Sequence, residues 1–359
     1  MSPAQRVGSN EAEYQKGVKR LYENGIQHVP GKYILPENDR PNEKSRSPRL
    51  NLKLPEIDCA QLNGPNRDRV LASLAYACEN YGFFQLTNHG IPEEIINNMS
   101  DVSKRFFELP FADREKYMSS DMRSPVRYGT SFNQINDEVF CWRDFLKLVC
   151  DPQPDVLSHW PCAPIDFKEP GVAYAKATKL LFLSLVRAIL ESLGIRNRDD
   201  DGILEELENG SQILVINCYP PCPEPELTVG MLPHSDYGFL TLLLQDEIRG
   251  LQIHHRDQWV TVEPVPGSLV VNVGDHLEIF SNGRYKSVLH RVLVNSNSYR
   301  ISLASLHSLS FNRKVQPSSI LISQSNPRRY EGTDFSSFLE FVESSDGTKK
   351  NFIESRKIQ

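Results

Sequence analysis

His234-Ser235-Asp236 places an imidazole and a carboxylate two residues apart, and a second imidazole, His290, follows further along the chain. Two imidazoles and one carboxylate on one face of a metal are the ligand set of non-haem Fe(II) oxygenases, which leaves the opposite positions open for reactants. In an extended strand or at its end, residues i and i+2 point to the same side, so His234 and Asp236 reach one ion. A third ligand as distant as His290 is what antiparallel strand pairing delivers.

Arg300-Ile301-Ser302 repeats the same spacing. The Arg300 guanidinium is a planar fork of donors suited to a carboxylate, and Ser302 adds a hydroxyl on the same side of the strand. A metal with open positions beside a fixed carboxylate clamp describes a pocket for a chelating 2-oxo acid. Its C1 carboxylate and keto oxygen would face the metal, and its distal carboxylate would meet Arg300 and Ser302.

Holding these groups together requires a strand-rich scaffold. From Ser211 to His307 the chain reads as short strands separated by turns such as Ser281-Asn-Gly283, which predicts a sandwich or barrel. His254 and His255 precede Arg256-Asp257, a hairpin turn; His89, His276 and His307 read as structural, with His307 the one to watch because it follows the Arg-X-Ser strand. Helices are expected around it. Apolar residues at 70, 71, 74, 75 and 78 predict a helix over Val70–Tyr81 that stops near Gly82. Phe83–Leu86 then reads as a buried strand, and Pro92–Leu109 as a helix bounded by prolines. Residues 170–194 form the clearest helical run, with Leu180, Leu181, Leu183, Leu185, Val186, Ile189 and Leu193 as its apolar face and Gly194 as its stop. Leu54–Asp58 reads as a first strand and Gly17–Asn24 as a short helix. The surrounding residues 1–50 are polar and irregular.

Composition sets bounds on function. The chain has 359 residues, 39% of them hydrophobic, enough for a sizeable core. A net charge of −6 argues against nucleic acid, whose phosphates require a concentrated basic surface. No run of about 18 apolar residues is present, so no membrane span is expected. The first residues lack an apolar signal segment, and seven cysteines without a Cys-X-X-Cys pair fit reduced thiols, which together point to the cytoplasm.

Several segments carry a resemblance. Asn217-Cys-Tyr219-Pro-Pro-Cys222, the stretch from Pro233 to Asp246, Asn272-Val-Gly-Asp275, Ser281-Asn-Gly283 and Leu289-His-Arg291 are similar to those of plant 2-oxoglutarate- and Fe(II)-dependent dioxygenases. Upstream, Tyr81-Gly-Phe-Phe84, Asn88-His-Gly90 and Phe106-Phe-Glu-Leu-Pro110 match the same class. The similarity spans roughly residues 50 to 355 and is strongest to the flavanone-3-dioxygenase-like subgroup.

The resemblance implies an α+β, mainly β fold, a double-stranded β-helix (jelly roll) with flanking α-helices. It divides the chain into an irregular N-terminal extension (1–50), an N-terminal dioxygenase region (51–165), a jelly-roll core (209–310) and a C-terminal segment (311–359). It implies His234, Asp236 and His290 as Fe(II) ligands and catalytic residues, with Arg300, Ser302, Tyr219 and Asn217 around 2-oxoglutarate. Phe132, Phe145, Lys147 and Leu306 are expected to face the substrate. Leu306 stands where a flavonoid-oxidising member, anthocyanidin synthase, carries a ring-stacking Phe, which removes one aromatic contact.

The implied reaction consumes O2 and 2-oxoglutarate, releases succinate and CO2, and hydroxylates or desaturates a small phenolic, flavonoid or hormone, with ascorbate as reductant. The expected protein is a monomer. Alternatives of other kinds are a gibberellin-type hormone oxidase, an ethylene-forming-type oxidase that uses no 2-oxo acid, and a catalytically silent small-molecule sensor.

Overall fold

The computed structural model describes residues 16–41, 51–131, 137–151, 155–195, 202–344 and 351–358. The strands are β1 (Asn51–Leu52), β2 (Glu56–Asp58), β3 (Phe83–Thr87), β4 (Val126–Gly129), β5 (Asp144–Val149), β6 (Ser211–Tyr219), β7 (Met231–His234), β8 (Leu240–Gln245), β9 (Leu251–His255), β10 (Gln258–Val262), β11 (Leu269–Val273), β12 (His290–Val292) and β13 (Arg300–Ser308). The helices are α1 (Val18–Glu23), α2 (Arg67–Asn80), α3 (Glu93–Glu108), α4 (Lys168–Ser192), α5 (Asp275–Phe280) and α6 (Phe335–Ser344), with short helical turns at Phe111–Arg114 and Ile203–Glu208.

Two sheets form. The larger has the order β2-β3-β11-β8-β13-β6-β5-β4 and the smaller β1-β10-β9-β12-β7. Pairing is antiparallel except for β2 with β3 and β1 with β10. This is the expected jelly roll with helices outside it. The β9–β10 hairpin turns at Arg256 and Asp257, both in the left-handed region (φ 50° and 59°), the geometry of a tight two-residue turn.

The amphipathic helices cover the outer face of the larger sheet. The predicted α2 stripe buries Val70, Leu74, Ala77 and Cys78, and Gly82 then turns the chain at φ 64°. A Cβ at Gly82 would lie 2.3 Å from the Lys286 carbonyl oxygen, so glycine is required there for two reasons. Helix α4 packs on α2, on α3 and on the backs of β6, β8 and β13. Its apolar face consists of Leu181, Phe182, Leu185, Val186 and Ile189. Leu180 does not belong to it: the side chain is 70% exposed, because position 180 is rotated off the stripe that meets the sheet.

The N-terminal stretch is less irregular than its composition indicates. Helix α1 forms where expected, and Val18, Leu21 and Tyr33 are buried against Trp142 and Tyr219. The anchor is Asp144, whose carboxylate accepts from Val18 N at 2.7 Å, Lys19 N at 3.0 Å, Tyr128 Oη at 2.7 Å and Thr130 Oγ1 at 2.8 Å.

Candidate active site

The spacing places its residues as predicted. His234 closes β7, Asp236 follows two residues on, and β12 opens at His290, opposite His234 in the antiparallel register. One ligand atom from each of the three lies within 4.8 Å of the others. His234 Nε2 is 3.7 Å and His290 Nε2 3.8 Å from Asp236 Oδ1.

Each of these side chains is oriented from behind. His234 Nδ1 donates to the Leu232 carbonyl at 2.8 Å, and His290 Nδ1 to the Val288 carbonyl at 3.2 Å. A carbonyl only accepts, so the proton sits on Nδ1 and the Nε2 lone pair faces the cluster. Asp236 Oδ2 accepts from Thr241 Oγ1 at 2.6 Å and Asn272 Nδ2 at 2.8 Å, which leaves Oδ1 for a metal. Burial and the neighbouring His290 push His234 down to about 3, so it is neutral and able to ligate. Burial opposes ionisation of Asp236, yet the two imidazoles and the two hydrogen bonds hold its carboxyl below the ordinary value. The donor set fits a divalent ion such as Fe(II).

The residues expected to form a clamp stand beside it. Strands β13 and β6 pair so that Arg300 faces Tyr219 and Ser302 faces Asn217, and all four line the same cavity, of about 210 Å³, as the three candidate ligands. The Arg300 guanidinium is 1% exposed and lies 5.0 Å over the Tyr219 ring. Its Nε donates to the Ile248 carbonyl at 3.1 Å and its Nη2 to Gln245 Oε1 at 3.0 Å, which fixes the fork.

Phe145, Lys147 and Leu306 line the cavity too. Phe132 lies outside the described residues. His307 projects from the opposite face of β13, where it stacks on Phe182 at 4.5 Å and meets Ser305 Oγ at 2.9 Å; its place is in the packing beneath α4. His276 is likewise buried away from the cluster, against Tyr237 and Ser308.

Three contributions escaped the sequence reading. Thr241 and Asn272 sit inside quoted segments, but their grip on Asp236 is a tertiary contact. Arg143, just before β5, turns into the cavity, and its Nη1 donates to Asn217 Oδ1 at 3.0 Å. Helix α6 supplies a wall of Phe338, Leu339, Phe341 and Val342. The signal for α6 was available, since Phe335, Phe338, Leu339 and Val342 follow i, i+3, i+4, i+7.

A jelly roll whose facing strands gather two imidazoles and a carboxylate beside a buried arginine defines a non-haem iron oxygenase scaffold. Residues 210–308 match the family described as 2OG-Fe(II) oxygenase superfamily, and residues 54–164 match the non-haem dioxygenase in morphine synthesis N-terminal family. The chain is 42% identical to Protein DMR6-LIKE OXYGENASE 1 of Arabidopsis thaliana over 83% of its own length and 84% of that protein. It is 38% identical to Flavanone 3-dioxygenase 2 of Oryza sativa subsp. japonica, over 87% and 89%. The crystal structure of JOX2 in complex with 2OG, Fe and JA superposes with a TM-score of 0.84 at 31% identity, covering 96% of this chain and 98% of that one. The chain belongs to the 2OG-Fe(II) oxygenase superfamily, and it is a 2-oxoglutarate-dependent non-haem iron dioxygenase. Among the described residues, no helix is long and apolar enough to cross a membrane.

Proposed function

We propose that His234, Asp236 and His290 hold Fe(II), and that Arg300, Ser302, Tyr219 and Asn217 bind 2-oxoglutarate, in the oxidation of a small plant metabolite. The observation that carries this reading is the shared cavity: the Nε2 and Oδ1 atoms and the fixed Arg300 fork open into one space. Iron supplies the oxygen activation when bound, and the protein supplies geometry and a dry site. Arg300 and Ser302 receive the distal carboxylate of 2-oxoglutarate, Tyr219 covers the guanidinium, and Asn217 stays aligned through Arg143. Phe145, Lys147 and Leu306 border the substrate, and helix α6 keeps water from the reacting carbon.

Two relatives frame the substrate. The rice relative is named for a flavanone, and the JOX2 crystal holds JA. They support a reading in which a flavonoid or a hormone is hydroxylated or desaturated. The chain supplies every ligand and clamp residue itself, which supports action as a monomer, and its reduced cysteines support a cytoplasmic setting.

Succinate release from 2-oxoglutarate under Fe(II) and ascorbate, with pooled phenolics and hormones, is the test. Product heavier by one oxygen, or lighter by two hydrogens, is expected. His234→Ala and Asp236→Ala are expected to abolish turnover while the circular dichroism spectrum is kept; retained activity sinks the iron assignment. Arg300→Ala should raise the 2-oxoglutarate KM about tenfold or more, since it removes a charge-assisted pair; an unchanged KM rejects the clamp.

A further inference from the structure

Alternation along β5 puts Arg143, Phe145 and Lys147 on the cavity side, while Asp144 faces away into its anchor. The register across β5, β6 and β13 divides this wall into rungs. Phe145 is paired with Asn217 and Asn217 with Ser302, the last rung of the proposed 2-oxoglutarate clamp. The next rung is Lys147, Val215 and Ala304, about 7 Å further along the strands. Beyond it Ile213 pairs with Leu306. Past the clamp, therefore, the wall is apolar and sparsely filled except for one ammonium group.

That group is poorly compensated. Lys147 is 8% exposed, and its Nζ donates to the Met122 carbonyl at 2.7 Å. A single neutral carbonyl does not offset the burial of an ammonium, which has three donors to satisfy. Arg143 is 6% exposed, and its Nε is buried with no hydrogen-bond partner among the described residues. Among the described residues, no carboxylate lies within ion-pair distance of Arg143 or Lys147. Among the described residues, the charges bordering the cavity are Arg143, Lys147, Arg300 and Asp236. Fe(II) and 2-oxoglutarate cancel each other, and Asp236 cancels Arg300, so the loaded site retains the two positive charges of Arg143 and Lys147.

Resting on the proposed function, we infer that the substrate is an organic anion with an apolar body, its acidic group held by Lys147 and drawn in by Arg143. The apolar body lies along Val215, Ala304 and Leu306, under Phe338 and Phe341. The burial of Lys147 also supports this reading, because burial, with the Arg127 charge second, pushes its ammonium down to about 8, and a bound anion reverses that. A neutral flavanone offers no such group, so the charge decides between the two substrate types.

The test is equilibrium binding to the full chain loaded with Fe(II) and 2-oxoglutarate without oxygen. Jasmonate, cinnamate and indole-3-acetate are each titrated beside their methyl esters, with naringenin as the neutral flavanone. An acid is expected to bind at least about tenfold tighter than its own ester, the size of one charge-assisted hydrogen bond. Lys147→Met, similar in length but uncharged, should bring that ratio close to one, and Lys147→Arg should keep most of it. A wild-type ratio below threefold for every pair overturns the inference, as does a ratio that survives in Lys147→Met or naringenin binding tighter than every acid. Titration of 2-oxoglutarate alone, on the same preparations, separates this outcome from a failure of the proposed function.

Discussion

At the scale of single residues, the proposed metal centre is specified by what stands behind it. The His234 and His290 rings are tied to carbonyls and Asp236 to Thr241 and Asn272, so each ligand has one free atom and one held atom. Thr241→Val and Asn272→Ala are expected to weaken Fe(II) or Co(II) binding by about tenfold to a hundredfold each, measured by metal titration, while leaving all three ligands in place. An effect below twofold would mean that Asp236 needs no orientation. Lys147 gives a pH signature. Charged groups acting on it are Arg127 from β4 and Asp121 from the preceding loop, and Arg143, just before β5, lines the same cavity. Its charged form is the one that binds an anion, so the affinity for jasmonate should be flat from about pH 6, where the ligand's carboxyl is ionised, and fall as pH rises through about 8. Lys147→Arg, charged throughout, should remove the fall.

Elements contribute what no single residue does. Helix α6 closes the cavity with Phe338, Leu339, Phe341 and Val342; it packs on Met122, Tyr237 and Phe352, and its half-exposed ion pair, Arg123 to Glu343, adds little. Phe338→Ala should therefore loosen the cover more than it harms the fold. The expected reading is more succinate per product formed, with the 2-oxoglutarate KM unchanged. Strand β5 holds α1 through Asp144, and Asp144→Ala strands two hydroxyls and two amide N–H groups. A loss of about 3 kcal/mol or more in urea unfolding is expected. The contrast with the sequence reading lies at this scale. His234, Asp236, Arg300 and Ser302 were legible because period two in a strand is local and fixes which way they point. The cavity roles of Arg143 and α6 were not: the apolar stripe of α6 is local, but where it and Arg143 lie depends on where distant chain returns. Leu180 failed for a related reason: an apolar residue counts toward a helix face only when the partner surface extends that far.

The whole molecule couples ligand and stability. Every residue proposed to hold the metal and 2-oxoglutarate lies between the two sheets, so ligands bind the folded chain and not the unfolded one. At a hundred times its Kd a ligand adds about 2.7 kcal/mol. Scanning calorimetry with Co(II) and 2-oxoglutarate should thus raise Tm by a few degrees, and a chelator should return it. The jelly roll was legible from strand density and from the resemblance. Antiparallel pairing was expected to bring His290 in, but the register of β7 with β12, which sets it opposite His234, is visible only in the closed structure.

The two-faced character of β5 bears on how such a protein changes over generations. Positions 143, 145 and 147 line the cavity, where the substrate is proposed to lie, while 144, 146 and 148 carry the anchor and the core beneath it. On the proposed reading, substitutions at 143 and 147 are expected to alter what is accepted while leaving the Asp144 anchor in place. Chemical taste and architectural integrity are thus written on alternate letters of one short word, and selection is free to edit the first while leaving the second intact.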